Sequence, residues 1–167
     1  MVKLAASILV VFGMTSAFAT ENERRAAESA ECKVIIARLM EATNAEVDHY
    51  SPSGDKVVLK APKMVLSCTN RRLTGISMDW DANGFPPDEW FGLLAKAGKA
   101  VTGIDVSILE TASRKCHRAA LKDKTELAEL AIPTAKIECQ AFTRDGGGVS
   151  ISIGMNDHAA RKSVKDP

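Results

Sequence analysis

A stretch of seven residues near the C-terminus decides the fold: VSISIGM, residues 149–155. Its apolar side chains fall at every second position with Ser or Gly between them, the pattern of a strand that has one buried face. Working outward, five more stretches predict strands: 45–50, 56–61, 64–69, 74–80 and 136–142. Because short polar turns join several of these strands, the sheet is predicted to be antiparallel.

Three amphipathic helices accompany the strands, since apolar residues recur there at spacings of three and four. The first is predicted over 23–43, the second from Asp88 to a stop at Gly103, and the third from Asp105 onward. Residues 122–134 are ambiguous, and we predict a helix there that fades into coil. The chain therefore predicts an α+β domain: an antiparallel sheet of about six strands with three helices packed mainly on one face.

The domain is predicted to occupy residues 20–155, followed by a disordered polar tail over 156–167. Its two halves have a similar order of elements. Each has a helix with one cysteine, a strand with another cysteine, a polar turn and an alternating strand. This order suggests two α-β-β half-repeats.

Residues 1–19 have the pattern of a cleavable signal peptide. Lys3 precedes an apolar segment over 4–14, and Ala17 and Ala19 occupy the small positions of a cleavage site. The apolar segment is shorter than the about 20 residues that span a bilayer, and an uncleaved membrane anchor is the alternative. We expect a bacterial protein of the periplasm or of the extracellular medium, with no membrane span after cleavage.

The four cysteines all follow the predicted signal peptide, and an even number in an exported chain predicts two disulfides. Their spacing provides neither a zinc knuckle nor a C-x-x-C redox pair. Of the three possible pairings we favour Cys32–Cys68 and Cys116–Cys139. In each of these a helix is attached to a strand that follows it.

The charge balance offers no attraction to nucleic acid or to an anionic membrane. The chain has 22 Lys and Arg against 21 Asp and Glu, and removal of Lys3 with the signal peptide leaves 21 of each. A neutral protein has no electrostatic reason to bind a polyanion. We therefore expect no nucleic-acid partner.

The sequence DWDANG at residues 79–84 matches the first half of a calcium-binding loop. In that interpretation Asp79, Asp81 and Asn83 provide side-chain oxygens, and Glu89 reaches in from further along the chain. The second half does not match, because Trp90 occupies the position of the bidentate glutamate. A turn that caps the following helix is the alternative, and these residue types favour it.

Four of the six aromatic residues that follow the signal peptide lie within residues 80–91. They are Trp80, Phe85, Trp90 and Phe91. They either dock the second helix on the sheet or form a contact surface for a partner, with Phe85 and one of the tryptophans, Trp80 or Trp90, facing solvent.

No catalytic motif is present, and His49, His117 and His158 are scattered along the chain. We expect no enzyme and no cofactor, with a bound calcium ion as the alternative. The leading hypothesis is a small exported, non-catalytic binding protein, an inhibitor or accessory factor, whose partner is a protein or small ligand of the cell envelope. A calcium-binding exported protein that uses the 79–89 loop is the alternative. A hydrolase with an unrecognised site is the third.

Overall fold

The structure is a computed structural model that describes residues 26–69, 74–143 and 147–156. The predicted signal peptide, the predicted turn at 70–72 and the tail from residue 157 lie outside the described residues. The helices are α1 (Ala30–Thr43), which follows a 3₁₀ turn at Ala26–Glu28, α2 (Asp88–Thr102) and α3 (Val106–Ala120). The strands are β1 (Glu46–Tyr50), β2 (Lys56–Lys60), β3 (Met64–Ser67), β4 (Gly75–Trp80), β5 (Leu127–Ile132), β6 (Ala135–Phe142) and β7 (Gly148–Met155).

All seven strands form one antiparallel sheet in the order β1-β2-β3-β4-β7-β6-β5. The two halves of the chain meet where β4 pairs with β7, with Ile76 opposite Ile153 and Met78 opposite Ile151. The predicted α+β class is confirmed, and the sheet has seven strands where about six were expected.

The additional strand is β5, in a segment where the sequence had predicted a helix. The run LAELAI is rich in residues that favour helices, so local propensity predicts a helix where the structure has a strand. Pro133 and Thr134 form a two-residue turn that brings Ile132 opposite Ala135, and five more residue pairs follow in register along β6. Pairing with β6 and burial against α3 outweigh the helical preference of these side chains.

The helices cover one face of the sheet, as predicted. Cross-strand partners such as Leu66 and Ile76 are both buried, so the buried side chains of adjacent strands point to the same side. The central helix, α2, packs over β4 and β7 and contacts α1 and α3. A Cβ atom at Gly98 of α2 would lie 2.8 Å from Ile153 Cδ1, so the absence of a side chain lets the helix approach the sheet.

The helix boundaries follow from their caps. Ser29 accepts a hydrogen bond from the backbone N–H of Cys32, which explains why α1 begins at Ala30 and not at the predicted residue 23. Asp105 caps α3 in the same way through the N–H of Ser107. The predicted stop of α2 at Gly103 is confirmed, because Gly103 has a left-handed φ of 75°.

Both predicted disulfides are confirmed. Cys32 of α1 is bonded to Cys68, the residue after β3, and Cys116 of α3 is bonded to Cys139 of β6. The strands β3 and β6 are the outer neighbours of the central pair, β4 and β7, so the two bridges occupy corresponding places in the two halves. The first half has four strands and the second has three. Within the described residues, none of the helices has the length and apolar character to cross a membrane.

Candidate contact surface around Phe85

Phe85 lies in the loop that joins β4 to α2, and its side chain is 60% exposed. This is the highest exposed fraction among the large apolar residues of the described chain. Aromatic side chains provide much of the binding energy of protein interfaces, and a side chain that is already held in place loses little entropy on binding. The exposure of Phe85 therefore singles out this loop as the candidate site.

The loop is held in place by contacts at both of its ends. The indole Nε1–H of Trp80 donates a hydrogen bond to the carbonyl oxygen of Gly84, at 3.0 Å. Gly84 has a φ of +83°. Gly147 packs closely against it, and a Cβ atom on Gly147 would lie 2.9 Å from the carbonyl carbon of Gly84. Pro86 is buried, and its ring fixes the backbone after Phe85. These contacts hold the loop in one conformation, which lowers the entropic cost of binding.

The ring of Phe85 rests on a cluster of buried rings. His117 of α3 lies edge-on to Phe85 with ring centroids 5.9 Å apart, and Phe91 lies 5.5 Å from His117. Trp90 contacts Phe91 edge-on at 5.2 Å. Trp90 and Phe91 are both buried, so they dock α2 in the core while Phe85 remains at the surface.

A group of ion pairs lies next to the ring of Phe91. The guanidinium of Arg114 lies 4.6 Å from the centroid of the Phe91 ring and pairs with Asp88 and with Glu110. Its hydrogen bonds to Glu110 first, and then to Asp88, raise the pKa of Arg114. The cation–π contact and the two ion pairs fix the position of α3 relative to the first turn of α2.

His117 and Ser113 lie one turn apart on α3, and both are buried. Neither His117 Nε2 nor Ser113 Oγ has a hydrogen-bond partner in the part of the chain that the structure describes. Burial first, and the positive charge of Arg118 second, lower the pKa of His117, so the imidazole is neutral at pH 7. A serine beside a histidine is reminiscent of nucleophilic catalysis, but Ser113 is fully buried and no substrate reaches it.

The predicted calcium ligands lie at the surface. Asp79, Asp81, Asn83 and Glu89 are all exposed, and Asp79 is paired with Ser150 within the sheet. Over residues 26–69, 74–143 and 147–156, no group of three or more His, Cys, Asp or Glu is placed to hold a metal. The calcium site therefore remains a prediction from the sequence.

The three predicted partner-binding residues have different environments. Phe85 faces solvent, Trp80 is half-buried and uses its indole N–H within the loop, and Trp90 is in the core. The sequence analysis did not connect His117, which supports Phe85, with this loop, because the two residues lie in different elements of the chain. The signal was present in α3, where His117 falls on the same helical stripe as Leu109, Ser113 and Ala120.

The open face of the sheet carries a depression of about 450 Å³, lined in part by Leu127, Gln140 and Ser150. Glu138 also lines it, and its carboxylate is already paired with Lys136 Nζ at 2.7 Å. Lys136 is paired with Glu129 as well, at 3.0 Å. The charged groups here satisfy one another, and the Phe85 loop is the stronger candidate for a site.

No protein-family model matches this chain, and neither the curated proteins nor the solved structures provide a match. The grounds for a function are therefore the fold and the contacts of the described residues.

Proposed function

We propose that this chain is an exported, non-catalytic binding protein that engages a protein of the cell envelope through Phe85. The observation that carries the proposal is that Phe85 is 60% exposed while the loop that bears it is fixed by Trp80, Gly147 and Pro86. A rigid, exposed aromatic ring is able to bury its full area in a partner at little entropic cost. An inhibitor or an accessory factor is the role that such a preformed surface suits.

The partner is proposed to have an apolar pocket with a basic rim. Two exposed carboxylates, those of Asp81 and Glu89, lie within four residues of Phe85 along the chain, and a third, that of Asp88, is already paired with Arg114. Charge at the rim of an interface guides association and selects the partner more than it adds affinity. The pocket would receive the phenyl ring, and the basic rim would face these carboxylates.

Two features support export to an oxidising compartment. Residues 1–19 have the pattern of a signal peptide, and two disulfides connect the helices to the sheet. The test is to express the full-length gene in a bacterium and to determine the N-terminal residue and the location of the product. We expect Thr20 as the first residue of an envelope protein. A cytosolic protein that retains Met1 would contradict export.

The binding proposal is tested with a photo-crosslinking phenylalanine analogue at position 85 of the full-length chain. The matched control has the analogue at Tyr50, which is 41% exposed on β1. We expect one defined crosslinked partner from position 85 and not from position 50. The purified partner should bind Phe85→Ser at least tenfold more weakly than wild type and Tyr50→Ser unchanged. No crosslinked partner, or equal affinity for Phe85→Ser, would overturn the proposal.

A further inference from the structure

The described sheet has two edges, β1 and β5, and only β1 has features that prevent pairing with another chain. The register of β1 shifts between Val47 and His49, and the exposed Glu46 and Asp48 add charge to this edge. Bulges and charges of this kind block edge-to-edge association. In contrast, β5 pairs with β6 without a register shift, and Glu129 is its one charged residue.

The outer side of β5 offers a row of backbone hydrogen-bonding groups. The N–H of Ala141 donates to the carbonyl of Glu126, which shows that residue 126 and every second residue after it face β6. Leu127, Glu129 and Ala131 therefore direct their N–H and C=O groups away from β6. Within the described residues, β5 pairs with β6 alone.

An apolar groove runs along this edge, between β5 and α3. It has a volume of about 470 Å³, and its apolar lining residues, Ile108, Ala112, Leu130 and Ile132, are accompanied by Ser107, Thr111 and Lys115 of α3. Ile108 is 52% exposed in the groove. A helix beside an open strand edge is an arrangement that accepts an added strand, because side chains of that strand enter the groove while its backbone extends the sheet.

We propose that two copies of this chain pair through their β5 edges, antiparallel and with a twofold axis at Leu130. The occupant is a second copy because β5 is complementary to itself: the outward backbone groups of Glu129 and Ala131 pair with those of Ala131 and Glu129 in the second copy. In this register Leu130 faces Leu130 of the second copy on the helix side, and Glu129 faces Ala131 on the open face. An axis at Glu129 would instead bring the two Glu129 carboxylates opposite each other, which is destabilising. This surface is separate from Phe85, so the two proposals stand or fall independently.

The first test is sedimentation velocity of the full purified chain from low micromolar to near-millimolar concentration. We expect a reversible monomer–dimer equilibrium. Ala131→Pro removes one outward N–H and none that pairs with β6, and prolines at such edge positions are tolerated. It should weaken dimerisation at least tenfold. His49→Lys changes the opposite edge and should leave the dimerisation constant unchanged.

Two further variants test the register. In this register, residue 131 of each copy lies opposite Glu129 of the other copy. Ala131→Lys should dimerise about tenfold more tightly than Ala131→Glu, because opposite charges attract across a sheet and like charges repel. Equal dimerisation constants for these two variants would overturn the register. A wild-type chain that is monomeric throughout, or Ala131→Pro that dimerises as well as wild type, would overturn the pairing itself. Amide exchange at Leu127, Glu129 and Ala131 that is slow at every concentration would show that another part of the same chain covers the edge, which also overturns it.

Discussion

The rings of Phe85 and His117 lie edge to face with their centroids 5.9 Å apart. The most exposed large apolar side chain of the described residues therefore rests on a buried imidazole whose Nε2 has no hydrogen-bond partner among them. Protonation of His117 would place a charge beneath Phe85 in an environment that does not solvate it. Protonation of His117 is therefore expected to change both the stability of the domain and the support of Phe85.

His117 should make the protein less stable as the pH falls from 7 to 5. Its native pKa is lowered by burial, so in this range the unfolded chain binds a proton that the native chain does not. The free energy of unfolding therefore rises with pH through this window and decreases as the pH falls below about 6.5. Urea denaturation of wild type and His117→Phe at pH 5, 6 and 7 measures the effect. We expect a flatter pH dependence for the variant.

His49→Phe is the control for this experiment, since His49 is exposed on β1. The pKa values of Asp55, Asp105 and Asp123 are also lowered. These carboxyl groups therefore titrate at more acidic pH and do not contribute to the pH dependence between 5 and 7. The same pH dependence in wild type and His117→Phe would show that His117 does not titrate as proposed.

Gly147 should be required for the position of the Phe85 loop. Gly147→Ala introduces a Cβ atom 2.9 Å from the backbone of Gly84, at a residue with a φ of +107°. We expect a loss of about 2 kcal/mol in the free energy of unfolding and weaker binding of the partner found by crosslinking. Gly103→Ala is the matched control: its φ is also positive, at +75°, but none of the described residues would lie within 4 Å of the added methyl group. Gly103→Ala should cost about 1 kcal/mol and leave binding intact.

Two glycines of α2 should respond in opposite directions to alanine. Gly98→Ala places a methyl group 2.8 Å from Ile153 Cδ1 and 3.1 Å from Leu109 Cδ1, so the core must shift. The cost of overpacking exceeds the gain in helix propensity, and we expect a net loss of about 1 kcal/mol. The methyl group of Gly92→Ala lies 3.9 Å from the nearest described atom outside its own stretch of helix, and this variant should stabilise the protein by about 0.5–1 kcal/mol. Denaturant midpoints that change in the same direction for both would contradict this account of the helix–sheet contact.

Each disulfide should contribute comparably to stability. The bridges close segments of 36 and 23 residues, for Cys32–Cys68 and Cys116–Cys139 respectively. In the chain-entropy model, replacing either cysteine pair by alanine costs about 3–4 kcal/mol, with slightly more for the longer segment. Unfolding of each double variant under oxidising conditions measures the difference. A variant as stable as wild type would show that its bridge adds no net stability.

Calcium should leave the melting temperature unchanged, because the exposed Asp79, Asp81 and Glu89 form no donor cluster. The measurement is thermal unfolding of wild type with added Ca²⁺ and with a chelator. A calcium-dependent rise in melting temperature that disappears in Asp81→Ala would instead support the loop predicted from the sequence.

Much of the fold could be predicted from the local pattern of residues. The alternation at 149–155 identified β7, and the helical spacing of apolar residues identified α2 with its stop at Gly103. The similar order of elements in the two halves also led to the correct cysteine pairing. The helix predicted over the residues of β5 was wrong. These residues favour a helix locally, but they form a strand because they pair with β6, a neighbour that local propensity does not include.

The candidate site was predicted only in part. The clustering of aromatic residues at 80–91 drew attention to the right loop, since it is visible in the residue order. That Trp90 enters the core while Phe85 stays exposed depends on how α2 rotates on the sheet. The contact of Phe85 with His117 joins two distant parts of the chain.

Periodicity and spacing were therefore enough to establish the α+β class, most of the elements and the two bridges, because each depends on residues close in sequence or on a repeated order. The seventh strand, the support of Phe85 by His117 and the open edge of β5 were decided by packing alone. They arise from contacts between separate elements, whose energies no local pattern contains.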